Sequence, residues 1–229
     1  MILANDIRKT YGEGNSATYA LRGASLHIEP GEIIAVMGPS GCGKTTLLHI
    51  LAGIEPADAG EVWVDGTALH QLKDKELSAF RLSRMGFVFQ QYHLVEVLSV
   101  LENVALPLLA RGMTEKAANK KAAMALEHVG LADKMKALPS ELSGGQCQRT
   151  AIARAIAGEP GVIWADEPTG ALDTANAEQV VGLLRRLSEL YGTTVVIVTH
   201  DHAVAAQAHR IVHMANGRIR NEGGRADHD

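Results

Sequence analysis

The chain has 229 residues, 46% of them hydrophobic and 21% charged, enough apolar material to bury a core without disulfides or metals. Lys and Arg total 22 against 26 Asp and Glu, a formal charge of −4, which argues against broad nucleic-acid binding. Aromatics at 4% are too few for a base-stacking platform.

At the N-terminus, MILANDIRKT lacks the basic head and long apolar stretch of a signal peptide. Glu32 to Val36 (EIIAV) reads as a buried strand. A Gly-rich turn follows, then LLHILAG, a helix whose apolar face is Leu47, Leu48, Ile50 and Leu51. Gly86 to Phe89 is another short strand. From about Leu98 to Gly158 the pattern turns helical and Ala-rich, with little β signal. Within it, Thr114 to Val129 opens on a candidate Thr N-cap and ends at Gly130. Gly161 to Ala165 (GVIWA) and Thr194 to Val198 (TVVIV) are continuous apolar runs that suit strands covered on both faces. Between them a helix over about Ala175 to Leu190 aligns Val180, Leu183, Leu184 and Leu187, completing a β-α-β unit. Arg210 to Met214 and Arg218 to Arg220, joined by Asn216-Gly217, read as a hairpin, and NEGGRADHD as a mobile tail. The sum is an α/β fold. No apolar run approaches the ~20 residues that span a bilayer. The cysteines, Cys42 and Cys147, make no disulfide framework, so a cytosolic location is the expectation.

GPSGCGKT, Gly38 to Thr45, matches G-x-x-x-x-G-K-[ST] between a strand and a helix, the context that motif requires. Gly38, Gly41 and Gly43 let the backbone curl its N–H groups around phosphate oxygens, and the following helix points its positive end at the same anion. Lys44 can reach the β- and γ-phosphates, and the Thr45 hydroxyl can ligate Mg²⁺. GVIWADEP delivers Asp166 and Glu167 at the carboxyl end of a strand, where open α/β sheets hold ligands. Standing alone, such a pair reads as a helix cap or solvated turn. Behind a phosphate loop, Asp166 reads as a Mg²⁺ group and Glu167 as the general base. LSGGQ, Leu142 to Gln146, precedes the helix CQRTAIARAIA; Ser143 can cap it, and Gly144 and Gly145 leave room for a phosphate. One nucleotide rarely needs two such helices from one chain, so this site would face a nucleotide held by a second subunit. The plain alternative is an ordinary capped helix.

With these motifs in this order, the sequence resembles the ATP-binding cassette family of transporter ATPases over essentially the whole chain. GPSGCGKT then corresponds to Walker A, VIWAD to Walker B and LSGGQ to the family signature. The resemblance implies a P-loop NTPase (RecA-like) core, 1–90 with 159–229, an inserted α-helical signature subdomain, 91–158, and N-terminal antiparallel β elements. It implies ATP and Mg²⁺ as ligands, held by Gly38, Pro39, Ser40, Gly41, Cys42, Gly43, Lys44, Thr45 and Thr46. It makes Gln90 the Q-loop residue near Mg²⁺ or the attacking water, and His200 the switch histidine on the γ-phosphate. It makes Asp173 a D-loop residue, which can equally cap the next helix, and Tyr11 the aromatic stacked on adenine. Ser143, Gly144, Gly145 and Gln146 would complete the site of a partner copy.

GFVFQQYHLVEVLSVLENVALPLL narrows the resemblance to subunits serving lipoprotein release, macrolide or antimicrobial-peptide efflux, and cell division (the LolD, MacB and FtsE group). That implies a homodimer on the cytoplasmic face of the membrane, driving permease subunits that dock near Tyr92 to Leu98, with no nucleic-acid partner. A regulatory role, as in the cell-division relatives, is the alternative. DNA-repair relatives insert coiled coils, and the middle segment has no sustained heptads. His209 and His213 are spaced i, i+4, but His213 falls in a strand, which breaks metal-ligand geometry. Cys42 and Cys147 lie in loops that a head-to-tail dimer would bring together; two unrelated buried thiols is the simpler reading.

Overall fold

The computed structural model describes residues 1–223; residues 221–223, expected to begin a mobile tail, instead extend the last strand, and the rest of that expectation, residues 224–229, lies outside the described residues. In chain order the elements are β1 (Ile2–Tyr11), β2 (Thr18–Ile28), β3 (Ile33–Met37), α1 (Lys44–Leu51), β4 (Ala59–Val64) and β5 (Thr67–Ala68). Then come α2 (Asp74–Arg84), β6 (Met85–Phe89), α3 (Val100–Ala110), α4 (Glu115–His128), α5 (Gly144–Ile156) and β7 (Val162–Asp166). The chain ends with α6 (Thr174–Tyr191), β8 (Thr194–Val198), α7 (His202–Ala205), β9 (Arg210–Ala215) and β10 (Arg218–Gly223). They form two units, residues 1–79 with 194–223 and residues 80–193.

The first unit holds an antiparallel sheet, order β2-β1-β4-β5, and the strands β10-β9-β3-β8. β3 runs parallel to both β8 and β9, and every residue of β3 and β8 is buried, as continuous apolar runs require. In α1 the face Leu47, Leu48, Ile50 and Leu51 is buried, as its spacing predicts. The β9–β10 hairpin turns on Asn216 and Gly217 at φ 52° and 73°, the pair of left-handed residues an Asn-Gly turn supplies. Arg210 donates to Glu32 at 2.7 Å and to the His27 carbonyl at 2.6 Å, tying β9 to the turn before β3.

The second unit pairs β6 with β7 in parallel and packs α3, α4 and α5 on one another. Val180, Leu183, Leu184 and Leu187 of α6 are buried. Thr114 stands at the N-cap of α4, but its side chain makes no capping bond, so position rather than hydroxyl chemistry starts this helix. Gly130, at φ 70°, turns the chain beyond its last residue.

Candidate functional site

In the first unit the phosphate loop follows β3. Gly38 has φ 159°, close to extended, and is a glycine for space, since a Cβ there would meet the Met214 carbonyl. Gly41 and Gly43 are left-handed at 76° and 103°, and a Cβ on Gly41 would meet nothing within 4 Å. Lys44, although buried, donates its ammonium to the carbonyls of Gly38 (2.9 Å) and Pro39 (3.1 Å). The cation is thus folded back over its own loop. α1 begins at Lys44 with Gly43 as its N-cap, so Thr45 and Thr46 lie in its first turn.

β8 carries His200 to the same edge. Val36 pairs with Val198, so Gly38 and His200 both lie just beyond the same end of the parallel ladder. The Thr199 hydroxyl accepts from the Asp201 N–H at 3.0 Å, and Asp201 caps α7 through Ala203 at 2.8 Å, which sets the turn carrying His200.

Tyr11 ends β1. Its hydroxyl donates to Glu55 at 2.7 Å, the Lys9 ammonium lies 5.6 Å from its ring centre, and the residue stays 42% exposed. Lys9 is buried, bridged to Glu55 (3.2 Å) and Asp58 (3.5 Å) and bonded to the Pro56 carbonyl. Burial, together with Glu55, holds the Tyr11 hydroxyl above the ordinary tyrosine pKa although Thr46 and Lys9 oppose it. Lys9 and Glu55, which no motif marks, therefore orient the ring.

In the second unit Phe89 pairs with Asp166, so Gln90 and Glu167 each directly follow the last paired residue of β6 and β7. A Cβ on Gly170 would come within 2.8 Å of the Gln90 amide nitrogen, so the turn after Glu167 packs under Gln90. Glu167 itself has φ 46°, a left-handed backbone unusual for glutamate. LSGGQ opens α5 with a reciprocal capping box: the Ser143 hydroxyl accepts from the Gln146 N–H, and the Gln146 side chain accepts from the Ser143 N–H at 2.9 Å. Both glycines also have neighbours in their own chain. A Cβ on Gly145 would strike Asn176 at 2.6 Å, and one on Gly144 would meet the Tyr92 hydroxyl at 3.0 Å. Asp173 caps α6, accepting from the N–H of Asn176 at 2.9 Å and from its side chain at 2.8 Å.

The remaining sequence candidates are placed more simply. His209 accepts from the Ile33 N–H through Nδ1, and His213 lies in β9, as expected. Both thiols are buried, and burial pushes the Cys147 thiol up, the setting of an inert thiol rather than a redox sensor. Among the described residues no helix is long and apolar enough to cross a membrane.

Within the first unit the loop N–H groups, the Lys44 ammonium and the Thr45 hydroxyl are chemically suited to a polyphosphate and its Mg²⁺, an ion bound through substrate oxygens and one or two protein groups rather than in an all-protein cage. An ABC transporter family model matches residues 21–170, from within β2 to the turn after Glu167. The chain belongs to that family. It is 45% identical to the lipoprotein-releasing system ATP-binding protein LolD of Bacteroides thetaiotaomicron over 97% of this chain and all of that protein. It is 40% identical to the bacitracin export ATP-binding protein BceA of Halalkalibacterium halodurans over 94% of this chain and 85% of that one. Among solved structures, the dimeric post-hydrolysis state of the Methanocaldococcus jannaschii cassette MJ0796, bound to ADP and Pi, superposes with a TM-score of 0.90. That match is 41% identical and covers 98% of both chains. The fold is accordingly the P-loop NTPase fold with its added antiparallel β sheet, and the protein is an ATP-binding, ATP-hydrolysing subunit of an ABC transporter, working with Mg²⁺ and with membrane permease subunits.

Proposed function

We propose that this subunit powers an export or extraction complex of the LolD and MacB type, peripheral on the cytoplasmic face of the membrane. Two copies close head-to-tail on two ATP molecules and open after hydrolysis. The observation that carries this reading is the pair of anion-binding helix starts in one chain. One follows the phosphate loop with Lys44 folded over it, and the other is the Ser143-capped signature helix. A single nucleotide uses the first, which leaves the second for a partner's γ-phosphate.

The residues divide the work as follows. Gly38, Pro39, Ser40, Gly41, Cys42 and Gly43 supply loop amides, with Lys44 neutralising the β- and γ-phosphates and Thr46 beside them. Thr45, Asp166 and Gln90 hold the metal, whose chemistry when bound is to neutralise charge on the transferring group. Glu167 takes the proton from the attacking water, and His200 contacts the γ-phosphate. Tyr11, braced by Lys9 and Glu55, stacks on the adenine. The partner copy's face is met by Asp173 and by Ser143, Gly144, Gly145 and Gln146. The helical segment 91–158 is the signature subdomain of this scheme, and 1–90 with 159–229 its nucleotide-binding core. Closure is a population shift, because ATP binds the closed dimer better than the open chain.

The permease docks on Tyr92 to Leu98, where Val97 is 84% exposed, with Val95 exposed beside it. The regulatory, FtsE-like alternative is not favoured: the functionally named relatives above are release and export subunits.

Light scattering of Glu167→Gln with and without ATP·Mg²⁺ tests the scheme. An ATP-dependent shift from monomer to dimer supports it, and a monomer at saturating ATP overturns self-pairing of the two sites.

A further inference from the structure

The segment that follows Gln90 is bonded to the signature helix along that helix's length. Arg154, late in α5, donates one N–H to the Tyr92 carbonyl at 2.7 Å and another to the His93 carbonyl. Both partners are backbone carbonyls, and burial lowers the guanidinium's pKa from its ordinary value. Among the described residues this half-buried cation is held by neutral carbonyls, a costly way to fasten a loop. Its planar fork spans adjacent carbonyls, a geometry lysine cannot reproduce. Tyr92 also meets the start of α5, its hydroxyl lying over Gly144. Midway along the same helix, buried Gln148 donates to the carbonyl of Pro168, the residue after Glu167.

We propose that Arg154 is a positioning residue for Gln90: by fixing the Tyr92 and His93 carbonyls to α5, it makes the signature helix and the Gln90 segment move as one body. The inference rests on Gln90 acting at the Mg²⁺ site, as set out above. Engagement of the signature by a partner's nucleotide then reorients Gln90 in the same step. Arg154 touches neither nucleotide nor metal, and its effect passes wholly through the loop.

A double-mutant cycle of Arg154→Lys and Gln90→Ala on the full chain tests this, with ATPase rates normalised to the folded fraction by circular dichroism. Arg154→Lys is expected to lower kcat about tenfold with KM for ATP nearly unchanged. In the Gln90→Ala background it is expected to add nothing further, because the residue being positioned is gone. A merely structural role multiplies the loss equally in both backgrounds, and that result overturns the proposal, as does wild-type kcat in Arg154→Lys. Gln90→Ala with unchanged kcat overturns it differently, by removing the role assigned to Gln90 itself. If Arg154→Lys does not fold, Arg154→Gln, which keeps an N–H donor without the charge, runs the same cycle.

Discussion

Glu167 stands at φ 46°, a conformation that glycine adopts freely and glutamate does not. Such strain at an assigned general base makes a trade of stability for function expected at this position. Glu167→Gly should relieve about 1 kcal/mol and raise Tm by about 2–4 °C for a chain of this size, while hydrolysis is lost. Differential scanning fluorimetry and phosphate release measure both, and an unchanged or lowered Tm refutes the strain argument. The place of Glu167 just beyond a buried strand was legible; its backbone strain was not, because no pattern in GVIWADEP encodes a torsion angle. The same contrast holds at Tyr11, whose motif was readable while Lys9 and Glu55, which orient the ring, come from strand pairing and the loop after α1.

At the scale of elements, ENVALPL carries a family resemblance in the sequence and a hydrogen-bond staple in the fold. Asn103 on α3 is fully buried: its side-chain oxygen accepts from the Val95 N–H at 2.7 Å. Its amide donates to the carbonyls of Val95, Leu98 and Ser99, each at 3.0 Å. Ser99 and Glu102 add a capping box to the same helix start. The loop that exposes Val95 and Val97 is therefore held by the helix behind it. Asn103→Leu strands several buried backbone groups and should cost about 3 kcal/mol in urea denaturation; a loss under about 1 kcal/mol contradicts the staple. Ser143→Ala at the signature helix should cost only about 1 kcal/mol, the value of an N-cap. Its larger expected effect is on ATP-driven dimerisation of Glu167→Gln, read by light scattering. Helix starts of this kind were legible because cap and helix are contiguous. Thr114 shows the limit, since a residue suited to cap can occupy the position and leave the bond unmade.

Across the whole molecule, stability should follow ligand and pH in stated directions. ATP·Mg²⁺ binds the folded chain and not the unfolded one, so saturation near 100 times Kd should add about 2.7 kcal/mol. Thermal melts of Glu167→Gln should show that shift, EDTA should weaken it, and Lys44→Ala should abolish it. Glu32 supplies the pH term: burial alone would raise its pKa. Hydrogen bonds from Arg210 and the Glu29 N–H, with the charge of Arg210, outweigh burial and hold it below the ordinary glutamate value. Its stabilisation is therefore complete above the unfolded-state pKa and disappears as pH falls through the lower folded one. The unfolding midpoint should decline on the acid side of about pH 4.3, the usual glutamate pKa, and less steeply in Glu32→Gln; equal slopes refute the assignment.

What the sequence determined by itself was everything built from neighbours in the chain. That includes the phosphate loop between strand and helix, the capped signature helix, the carboxylates at the end of a buried strand, and the Asn-Gly hairpin. Glycine torsions, caps and hydrophobic periods act over a few residues, so their pattern is their physics. Only the tertiary structure decided which distant groups share a hydrogen bond: Glu32 with Arg210, 178 residues apart, and Arg154 with the Tyr92 carbonyl, 62 apart. A backbone carbonyl is present at every position and leaves no mark in the residue code. Such a partner becomes visible only when packing brings it within reach of a donor.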